Sequence, residues 1–276
     1  MDISNRPVTS REYKLMLNVD RFKDREQASQ EFLSLLDFLV KKERGSVVEK
    51  QNEEERRYIS YLDTPEGALR QQGFALRLRE EADDEDGFQI NLKYRASDRY
   101  ISAAQDLSSP QDGKTKFEED ILPPFISKFS HSTSIETDAD PELGTMKKVM
   151  DLFPGLKELN IDGNTAVKAV NDFKALEVIR KLCKLKFGEE PIIKASLSFW
   201  YLIGQENEGQ ENEWPLVGEF SFDYDILDNG ADEDKLEMYP PQVVEGANRL
   251  FNALQKQEGW ISFSTTTKTA FALEGL

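Results

Sequence analysis

Alternation of apolar and polar residues along the chain predicts a series of short β-strands. Side chains of a strand point to opposite faces in turn, so a period of two with one apolar face indicates a strand packed on one side. This period occurs in residues 13–17, 58–63, 74–79, 88–95, 116–121, 192–203, 215–227 and 260–273, with a shorter candidate at 236–239. Polar turns separate these segments. Seven or eight such strands predict a largely antiparallel sheet that closes into a β-barrel.

Other segments repeat their apolar residues at helical spacing. In residues 24–45, Phe32, Leu36 and Val40 belong to one apolar stripe. Similar patterns predict helices over residues 141–153, 164–188 and 241–257. Neither an internal repeat nor a clear linker divides the sequence. We therefore expect residues 1–276 to form one α+β domain, a closed antiparallel barrel of about eight strands with helices packed outside.

The polar faces of the predicted strands carry acids and bases together. Arg77 and Arg79 share one face of a strand whose opposite face is formed by leucines. The corresponding faces of other strands contain Glu12, Lys14, Gln89, Asn91, Lys93, Arg95, Lys116, Glu118, Asp120, Lys194, Ser196, Ser198, Glu219, Ser221, Asp223 and Asp225. If helices cover the apolar face, these charges point into the barrel. Such charges are costly unless they pair with one another or bind a polyanion and a divalent cation, and both alternatives stay open here.

The amino-acid composition excludes some classes of binding partner. The chain has 52 acidic and 35 basic residues and a net charge of −17, which argues against nucleic-acid or anionic-membrane binding through a general basic surface. The acids concentrate in predicted turns at 52–55, 80–87, 205–213 and 228–234, so the net charge says little about the barrel interior. Neither a signal-peptide core nor a run of about 20 apolar residues is present, and we expect a cytoplasmic protein.

Single copies of cysteine and histidine restrict the chemistry further. Cys183 lies among apolar residues at helical spacing, which favours a buried hydrophobic role over a nucleophile and fits a reducing compartment. With His131 as the one histidine, a histidine metal site or a catalytic triad cannot form within the chain. The remaining chemistry must use carboxylates, lysine, arginine, hydroxyl groups or a bound metal.

Residues 61–79, YLDTPEGALRQQGFALRLR, resemble the signature Y-x-D-T-x(n)-L-x-x-x-G-x-x-L-R-x-R of the CYTH superfamily, the triphosphate tunnel metalloenzymes. This superfamily includes inorganic triphosphatases, thiamine triphosphatases and class IV adenylate cyclases. Later elements follow in the family order, with NLK at Lys93, Lys-x-Glu at 116–118, a basic residue at Lys194, an E-x-x-x-D strand at 219–223 and a final strand with Lys268. Within the signature, Asp63 and Thr64 are expected to stabilise the turn.

Two departures from the family pattern concern the acids. The N-terminal E-x-E-x-K strand reads S-R-E-Y-K here, so Ser10 replaces the first glutamate and leaves Glu12 and Lys14. The second E-x-E pair aligns either with residues 235–239, which leaves Glu237, or with 222–225, which supplies Asp223 and Asp225. The metal-binding acids are therefore fewer than in the family pattern, whereas the basic set is almost complete.

The resemblance implies hydrolysis of a small-molecule triphosphate, inorganic or carrying a nucleoside or thiamine, inside the barrel with Mg²⁺ or Mn²⁺. It implies catalytic roles for Glu12, Lys14 and Glu118, and substrate binding by Lys14, Arg77, Arg79, Lys93, Lys116, Lys194 and Lys268. It also implies metal ligands among Glu12, Glu118, Glu219, Asp223, Asp225 and Glu237. The alternatives are an adenylate cyclase of the class IV type and a polyphosphate- or nucleotide-binding module with weakened catalysis. The oligomeric state is not indicated.

Overall fold

A computed structural model describes residues 6–82, 87–203, 214–226, 240–262 and 267–274. The strands are β1 (Ser10–Met16), β2 (Ser46–Lys50), β3 (Glu54–Asp63), β4 (Phe74–Glu81), β5 (Phe88–Ala96), β6 (Gly113–Leu122), β7 (Ile126–Thr137), β8 (Lys168–Lys186), β9 (Ile193–Leu202) and β10 (Val217–Asp225). The helices are α1 (Arg25–Lys42), α2 (Ala68–Gln71), α3 (Arg99–Ala104), α4 (Met146–Leu152), α5 (Pro241–Leu254) and α6 (Lys268–Glu274). Short 3₁₀ helices cover Val19–Phe22 and Pro154–Leu159.

Nine of these strands close into a barrel. The order around it is β8-β3-β4-β5-β7-β6-β1-β10-β9, and β9 pairs again with β8. Strand β2 lies outside this ring and pairs with β8. Neighbours are antiparallel except β1 and β6, which run parallel. The predicted closed barrel is confirmed, with one parallel pair and one more strand than the eight expected.

Helices cover two parts of the outer barrel surface. Helices α1 and α5 pack on the outward faces of β1, β8, β9 and β10, where Phe32, Phe220 and Phe251 belong to one buried cluster. Helix α4 packs on the outward faces of β4 and β5, where Leu92 and Val149 belong to another. Since successive side chains alternate, the charged faces of these strands point inward, as predicted. In the described part of the chain, no helix is both long enough and apolar enough to cross a bilayer.

Several elements differ from the sequence-based predictions: β2, α2 and α3 were not predicted, and the candidate strand at 236–239 lies outside the described residues. Residues 164–188 were predicted as a helix, but β8 occupies most of this segment. Both faces of β8 are apolar over much of its length, and left-handed residues Asn171 and Asp172 interrupt its alternation. Strand β7 was missed because its serines and threonines give it no apolar face. The strand predicted over 260–273 is wrong, because a single bridge at Ile261 is followed by helix α6 from residue 268. Cys183 is fully buried as predicted, although it lies on a strand.

His131 provides a pH-dependent element of stability outside the barrel interior. It is buried on β7, its ring packs edge-on against Phe117, and its Nδ1 lies 3.0 Å from a guanidinium nitrogen of Arg6. Burial and then the charge of Arg6 lower the pKa of His131 to about 4, against smaller opposite effects of the Ser102 and Gln105 backbone and of Asp106. The unfolded chain, with a histidine pKa of about 6.5, therefore binds more protons between the two values.

We expect the free energy of unfolding to fall as the pH decreases from about 6.5 to about 4, with no contribution from His131 above that window. Because carboxylates also titrate there, the measurement is a comparison of urea unfolding for the parent and His131→Gln at pH 5 and pH 7.5. The difference in stability between the two proteins should shift in favour of the variant at pH 5. An unchanged difference at the two pH values would contradict the assignment.

Candidate functional site

The inward faces of the nine barrel strands, together with the start of α6, enclose a cavity of about 440 Å³, here called the tunnel cavity. Nine cationic side chains line it, namely Lys14, Arg57, Arg77, Arg79, Lys93, Arg95, Lys114, Lys116 and Lys268. Five acidic side chains line it, namely Glu12, Glu118, Glu136, Glu177 and Glu219. The lining is therefore strongly cationic, although the chain as a whole carries a net charge of −17.

One group of charges is organised by Asp120 on β6. Its fully buried carboxylate accepts hydrogen bonds from Lys14 Nζ at 2.8 Å, Arg95 Nη2 at 2.6 Å and Ser130 Oγ at 2.6 Å. Burial alone would raise the pKa of Asp120, but Arg95, Lys14 and Lys93 outweigh it and hold the pKa well below its usual range. The carboxylate thus stays charged and fixes the direction of the Lys14 and Arg95 head groups.

A second group is organised by Glu177 on β8. Its carboxylate accepts hydrogen bonds from Arg57 Nε at 2.8 Å, Lys268 Nζ at 3.0 Å, Ser198 Oγ at 2.9 Å and Trp200 Nε1 at 3.0 Å. Burial opposes ionisation of Glu177, yet the charges of Lys268 and the tunnel arginines keep its pKa well below its usual range. This acid has four donors and is accordingly saturated.

Arg77 and Arg79 make no ion pair with any described residue, like the exposed Lys114 but unlike the other tunnel cations. Arg77 donates a long hydrogen bond of 3.4 Å to the Asn91 side chain, and Arg79 donates one of 2.6 Å to the Gln89 side chain. The Nε atoms of both arginines are buried and lack a partner among the described residues. Burial, then Arg77 and Arg57, lower the pKa of Arg79 well below its ordinary value.

The neighbouring Lys93 is also poorly compensated. Its Nζ lies 3.8 Å from Asp120 and 3.9 Å from Glu118, near the limit for an ion pair. Burial is the main reason that the pKa of Lys93 falls to about 8, and Lys14 and Arg95 contribute as well. The unneutralised positive charge of the tunnel cavity is thus concentrated on β4 and β5.

Helix α6 positions Lys268 at one end of the barrel interior. Its side chains Phe271, Ala272 and Leu273 pack in an apolar cluster with Tyr61 and Trp200. Tyr61 and Trp200 also line the tunnel cavity, so this cluster occupies the inward side of the sheet. The cluster anchors the helix, and Lys268 Nζ reaches both Glu177 at 3.0 Å and Glu219 at 3.3 Å.

Most of the predicted site residues come together in the tunnel cavity. These are Glu12, Lys14, Arg77, Arg79, Lys93, Lys116, Glu118, Glu219 and Lys268. Lys194 and Asp225 do not line it, because they form an exposed ion pair of 3.7 Å at the end of their strands. Asp223 lies between the cavity and that end, and Glu237 lies outside the described residues.

The predicted structural role of Asp63 and Thr64 is confirmed. The buried Asp63 carboxylate accepts hydrogen bonds from the backbone N–H groups of Thr64, Leu69 and Arg70. The Thr64 hydroxyl accepts one from the Ala68 N–H. These contacts satisfy the first donors of helix α2 and fix the turn before β4, which carries the two arginines.

Sequence reasoning assigned no site role to Arg57, Arg95, Asp120 or Glu177. Arg95 and Asp120 were placed on the correct strand faces, but their mutual contact depends on β7, which follows both strands in the sequence and lies between them in the sheet. Glu177 was missed because its segment was predicted as helix. Arg57 could have been found by extending the alternation Arg57, Ile59, Tyr61 towards the N-terminus of the strand.

The acids of the barrel interior include one pair that fits a divalent cation. Among the described residues, no three histidine, cysteine or acidic side chains are grouped closely enough to hold a metal by themselves. Glu12 and Asp223, however, are direct cross-strand neighbours on β1 and β10. Burial and then Glu12 raise the pKa of Asp223 to about 7, whereas Glu12 itself lies 2.8 Å from Lys14 Nζ. Two carboxylates suit Mg²⁺ or Mn²⁺ when phosphate oxygens and water complete the coordination.

Comparison with known proteins yields similarity in structure only. No protein-family model and no curated protein sequence matches the chain. A candidate adenylyl cyclase from Hippeastrum, HpAC1, described as having a dominant triphosphatase activity, is 15% identical with a TM-score of 0.44, covering 95% of this chain and 94% of its own.

Two further structures are named as candidate adenylate cyclases. The one from Bacillus halodurans is 13% identical with a TM-score of 0.40, and 95% of each chain is covered. The one from Vibrio parahaemolyticus is 12% identical with a TM-score of 0.32, covering 96% of this chain and 98% of its own. At TM-scores below 0.5 these similarities assign neither a family nor an activity to the chain.

Proposed function

We propose that the tunnel cavity binds a triphosphate and that the protein hydrolyses it with the help of Mg²⁺ or Mn²⁺. The observation that carries this proposal is the set of Arg77, Arg79 and Lys93, which face the cavity without adequate acidic partners. A buried cation without a counter-ion is costly, and a polyanion would remove that cost. The resemblance of residues 61–79 to the CYTH signature supports the same class of ligand.

The cationic side chains have different parts in this proposal. Arg77 and Arg79 present planar forks of N–H donors, which match pairs of phosphate oxygens. Lys14, Lys93 and Lys268 act as point charges on other walls of the cavity. Asp120 and Glu177 do not contact the phosphates, but they fix the orientation of the lysine and arginine head groups with which they pair. Catalysis of phosphoryl transfer rests on positioning and electrostatics, so the absence of a tunnel histidine or cysteine among the described residues is no obstacle.

The carboxylates of Glu12 and Asp223 would hold the divalent cation, whereas Glu219 lies four residues from Asp223 along β10, beside Lys268. When bound, the cation supplies positive charge against the phosphate oxygens and helps to orient water. Glu12 would then contact the cation in place of part of its contact with Lys14, whose Nζ lies 2.8 Å from Glu12 Oε2. The bound cation would favour deprotonation of Asp223, whose pKa is raised to about 7 by burial and then by the negative charge of Glu12.

The test is phosphate release by the purified protein from tripolyphosphate, ATP and thiamine triphosphate, each with Mg²⁺, Mn²⁺ or chelator. We expect metal-dependent release from at least one of them. The Arg77→Ala/Arg79→Ala double variant, purified in the same way, controls for contaminating phosphatases and should be inactive. Absence of phosphate and pyrophosphate with every substrate would exclude hydrolysis.

One observation favours a second function, a module that binds polyphosphate without turnover. The acids that would hold a metal already have lysine partners: Glu12 with Lys14 at 2.8 Å, Glu118 with Lys116 at 3.5 Å and Glu219 with Lys268 at 3.3 Å. These lysines compete with a cation for the carboxylates. Calorimetric binding of tripolyphosphate without turnover would select this function over hydrolysis.

Substitution of Ser10 tests the proposed metal position directly. Ser10 is buried on β1, two residues before Glu12, and its hydroxyl donates to Glu118 Oε1 at 3.1 Å. Ser10→Glu adds a carboxylate beside two others, so we expect Mn²⁺ affinity to rise by about tenfold and apo stability to fall. Ser10→Gln is the control of equal size. Manganese titration calorimetry and urea unfolding measure the two effects, and equal Mn²⁺ affinity in parent and Ser10→Glu would exclude a metal site on this strand.

A further inference from the structure

Arg79 lies near the end of the tunnel cavity that is distant from helix α6. Ala75, at the start of β4, packs with α6 in one apolar cluster, whereas Arg79 is two residues from the other end of the strand. Across the sheet, Arg79 is paired with Gln89 on β5, and Gln89 is paired with Glu136 on β7. Glu136 is exposed and also lines the cavity, so the cavity reaches the surface at this end. A small molecule can therefore reach the half-buried Arg79 directly.

No acid among the described residues pairs with the guanidinium group of Arg79. Its Nη1 donates to the neutral amide oxygen of Gln89 at 2.6 Å, and its buried Nε has no partner in the described part of the chain. Burial and then the positive charges of Arg77 and Arg57 lower the pKa of Arg79 well below its ordinary value, against smaller opposite effects, of which that of Glu177 is the larger. The neutral guanidine, which is the nucleophilic form, is thus easier to reach here than in an ordinary arginine.

Other arginines of the described chain are held in the charged form by carboxylates. A carboxylate oxygen within 3.3 Å stabilises the charge of Arg11, Arg25, Arg57, Arg95, Arg180 and Arg249. Arg77 shares with Arg79 the lack of an acid, but it lies one inward-facing position deeper, opposite Asn91. Burial also lowers the pKa of Arg6, but Asp106 opposes this effect. Arg79 therefore combines an uncompensated guanidinium group with access from the surface.

We propose that Arg79 is a site of covalent modification by small α-oxoaldehydes, such as methylglyoxal. The guanidinium first releases a proton to solvent, and two nitrogens of the neutral guanidine attack the two adjacent carbonyl carbons. Two C–N bonds form, and each N–H proton passes to a new hydroxyl group. Loss of one water with a hydrogen shift gives a hydroimidazolone ring, and no oxidant or reductant is needed. Because the carbonyl of this ring withdraws electrons from the guanidine, the product loses the positive charge at neutral pH.

The modification would remove one of the two arginines that face the tunnel cavity as a pair. On the basis of the function proposed above, tripolyphosphate and the oxoaldehyde compete for the same guanidinium group, because phosphate oxygens stabilise its charged form. The modified protein should then bind tripolyphosphate as weakly as Arg79→Ala does. This competition depends on the proposed function, whereas the reactivity of Arg79 in the free protein does not.

The experiment treats the metal-free protein with a limiting amount of methylglyoxal at pH 7.5 and follows the modified fraction of each arginine by peptide mass spectrometry. The same reaction in urea, where all arginines are exposed, gives the reference rate for each peptide. After this correction we expect Arg79 to react at least about tenfold faster than Arg95, the ratio that one pKa unit gives. In Gln89→Glu a carboxylate faces the guanidinium group, so the rate at Arg79 should fall by about tenfold. In Gln89→Leu, the control without added charge, the rate should not fall.

The outcomes separate this inference from the proposed function. Equal rates at Arg79 and Arg95 in the folded protein, or an unchanged rate at Arg79 in Gln89→Glu, would overturn the inference. Preferential reaction that saturating tripolyphosphate suppresses at Arg79, but not at Arg249 on the outer helix α5, would support both the inference and the proposed function. Preferential reaction without such protection would leave the modification site standing and contradict the proposed binding of tripolyphosphate.

Discussion

Replacement of Arg77 or Arg79 by alanine is expected to weaken tripolyphosphate binding by about 10- to 100-fold and to leave the apo protein equally stable or more stable. Hydrogen bonds to charged groups contribute about 1.5–3 kcal/mol, which corresponds to this loss of affinity. The apo protein loses little, because these guanidinium groups donate only to the amide oxygens of Asn91 and Gln89. Burial and then repulsion from Arg77 and Arg57 lower the pKa of Arg79 in the folded state, and removing one of the paired arginines relieves part of that repulsion.

Titration calorimetry with tripolyphosphate and urea unfolding without ligand measure the two parts of this prediction. Arg57→Ala is the matched control, since Arg57 also faces the tunnel cavity but forms an ion pair with Glu177 at 2.8 Å. It should destabilise the apo protein clearly. If Arg77→Ala and Arg79→Ala destabilise it as much as Arg57→Ala does, these two arginines have a structural role instead.

Glu177→Gln is expected to cause the largest loss of stability, about 3–5 kcal/mol in the free energy of unfolding. The substitution keeps the size of the side chain but removes the charge that compensates Arg57 and Lys268 inside the barrel. The glutamine oxygen can still accept from the Ser198 hydroxyl and the Trp200 N–H, but its NH2 group then faces the Arg57 Nε–H, so two donors oppose each other. Helix α6 should loosen as well, because Lys268 at its first residue loses its closest acidic partner.

The control for this prediction is Glu53→Gln. It weakens an exposed ion pair in which Lys181 Nζ lies 2.8 Å from Glu53 Oε2. Exposed pairs contribute about 0–1 kcal/mol, so this variant should unfold almost like the parent. Urea unfolding of the three proteins at pH 7.5 gives the comparison. Equal stability of Glu177→Gln and Glu53→Gln would show that the Glu177 contacts do not stabilise the barrel.

The sequence was sufficient to predict the barrel and much of its lining for strands with one apolar and one charged face. Arg77, Arg79 and Lys93 belong to this group, because the helices outside take up the leucine and isoleucine faces of β4 and β5. A strict period of two is then enforced by burial on one side only. The charged faces of these strands were predicted to point inward because the helices need an apolar sheet surface to cover.

Strand β8 could not be predicted in this way. Phe173 and Ala175 are buried on its inward face near α6, and Leu176 and Val178 are buried on its outward face. Apolar residues on both faces remove the period of two, and in β8 they happen to recur at helical spacing. The same error concealed Glu177, whose function depends on partners from β3, β9 and α6.

The sequence also did not predict how deep each charged residue lies in the barrel or which ion-pair partner it has. Alternation places Lys194 and Asp225 on inward-facing positions but does not show that both lie at exposed strand ends. Likewise, it places Lys14 and Arg95 inside without showing that Asp120 binds both of them. These contacts depend on the register across β5, β7, β6 and β1, of which β1 is distant in the sequence and β7 separates β5 from β6 in the sheet. Which cations stay unpaired is therefore a property of the folded barrel.

The most direct test of the central claim, that the barrel interior is a polyanion site, is calorimetric titration of tripolyphosphate into the metal-free protein. One experiment compares the parent with the Arg77→Ala/Arg79→Ala double variant at low and at high salt. We predict binding of one tripolyphosphate per chain by the parent, a moderate decrease with salt as expected for a partly buried site, and at least about 100-fold weaker binding by the double variant. Absence of binding by the parent, or equal affinity of the two proteins, would contradict the account.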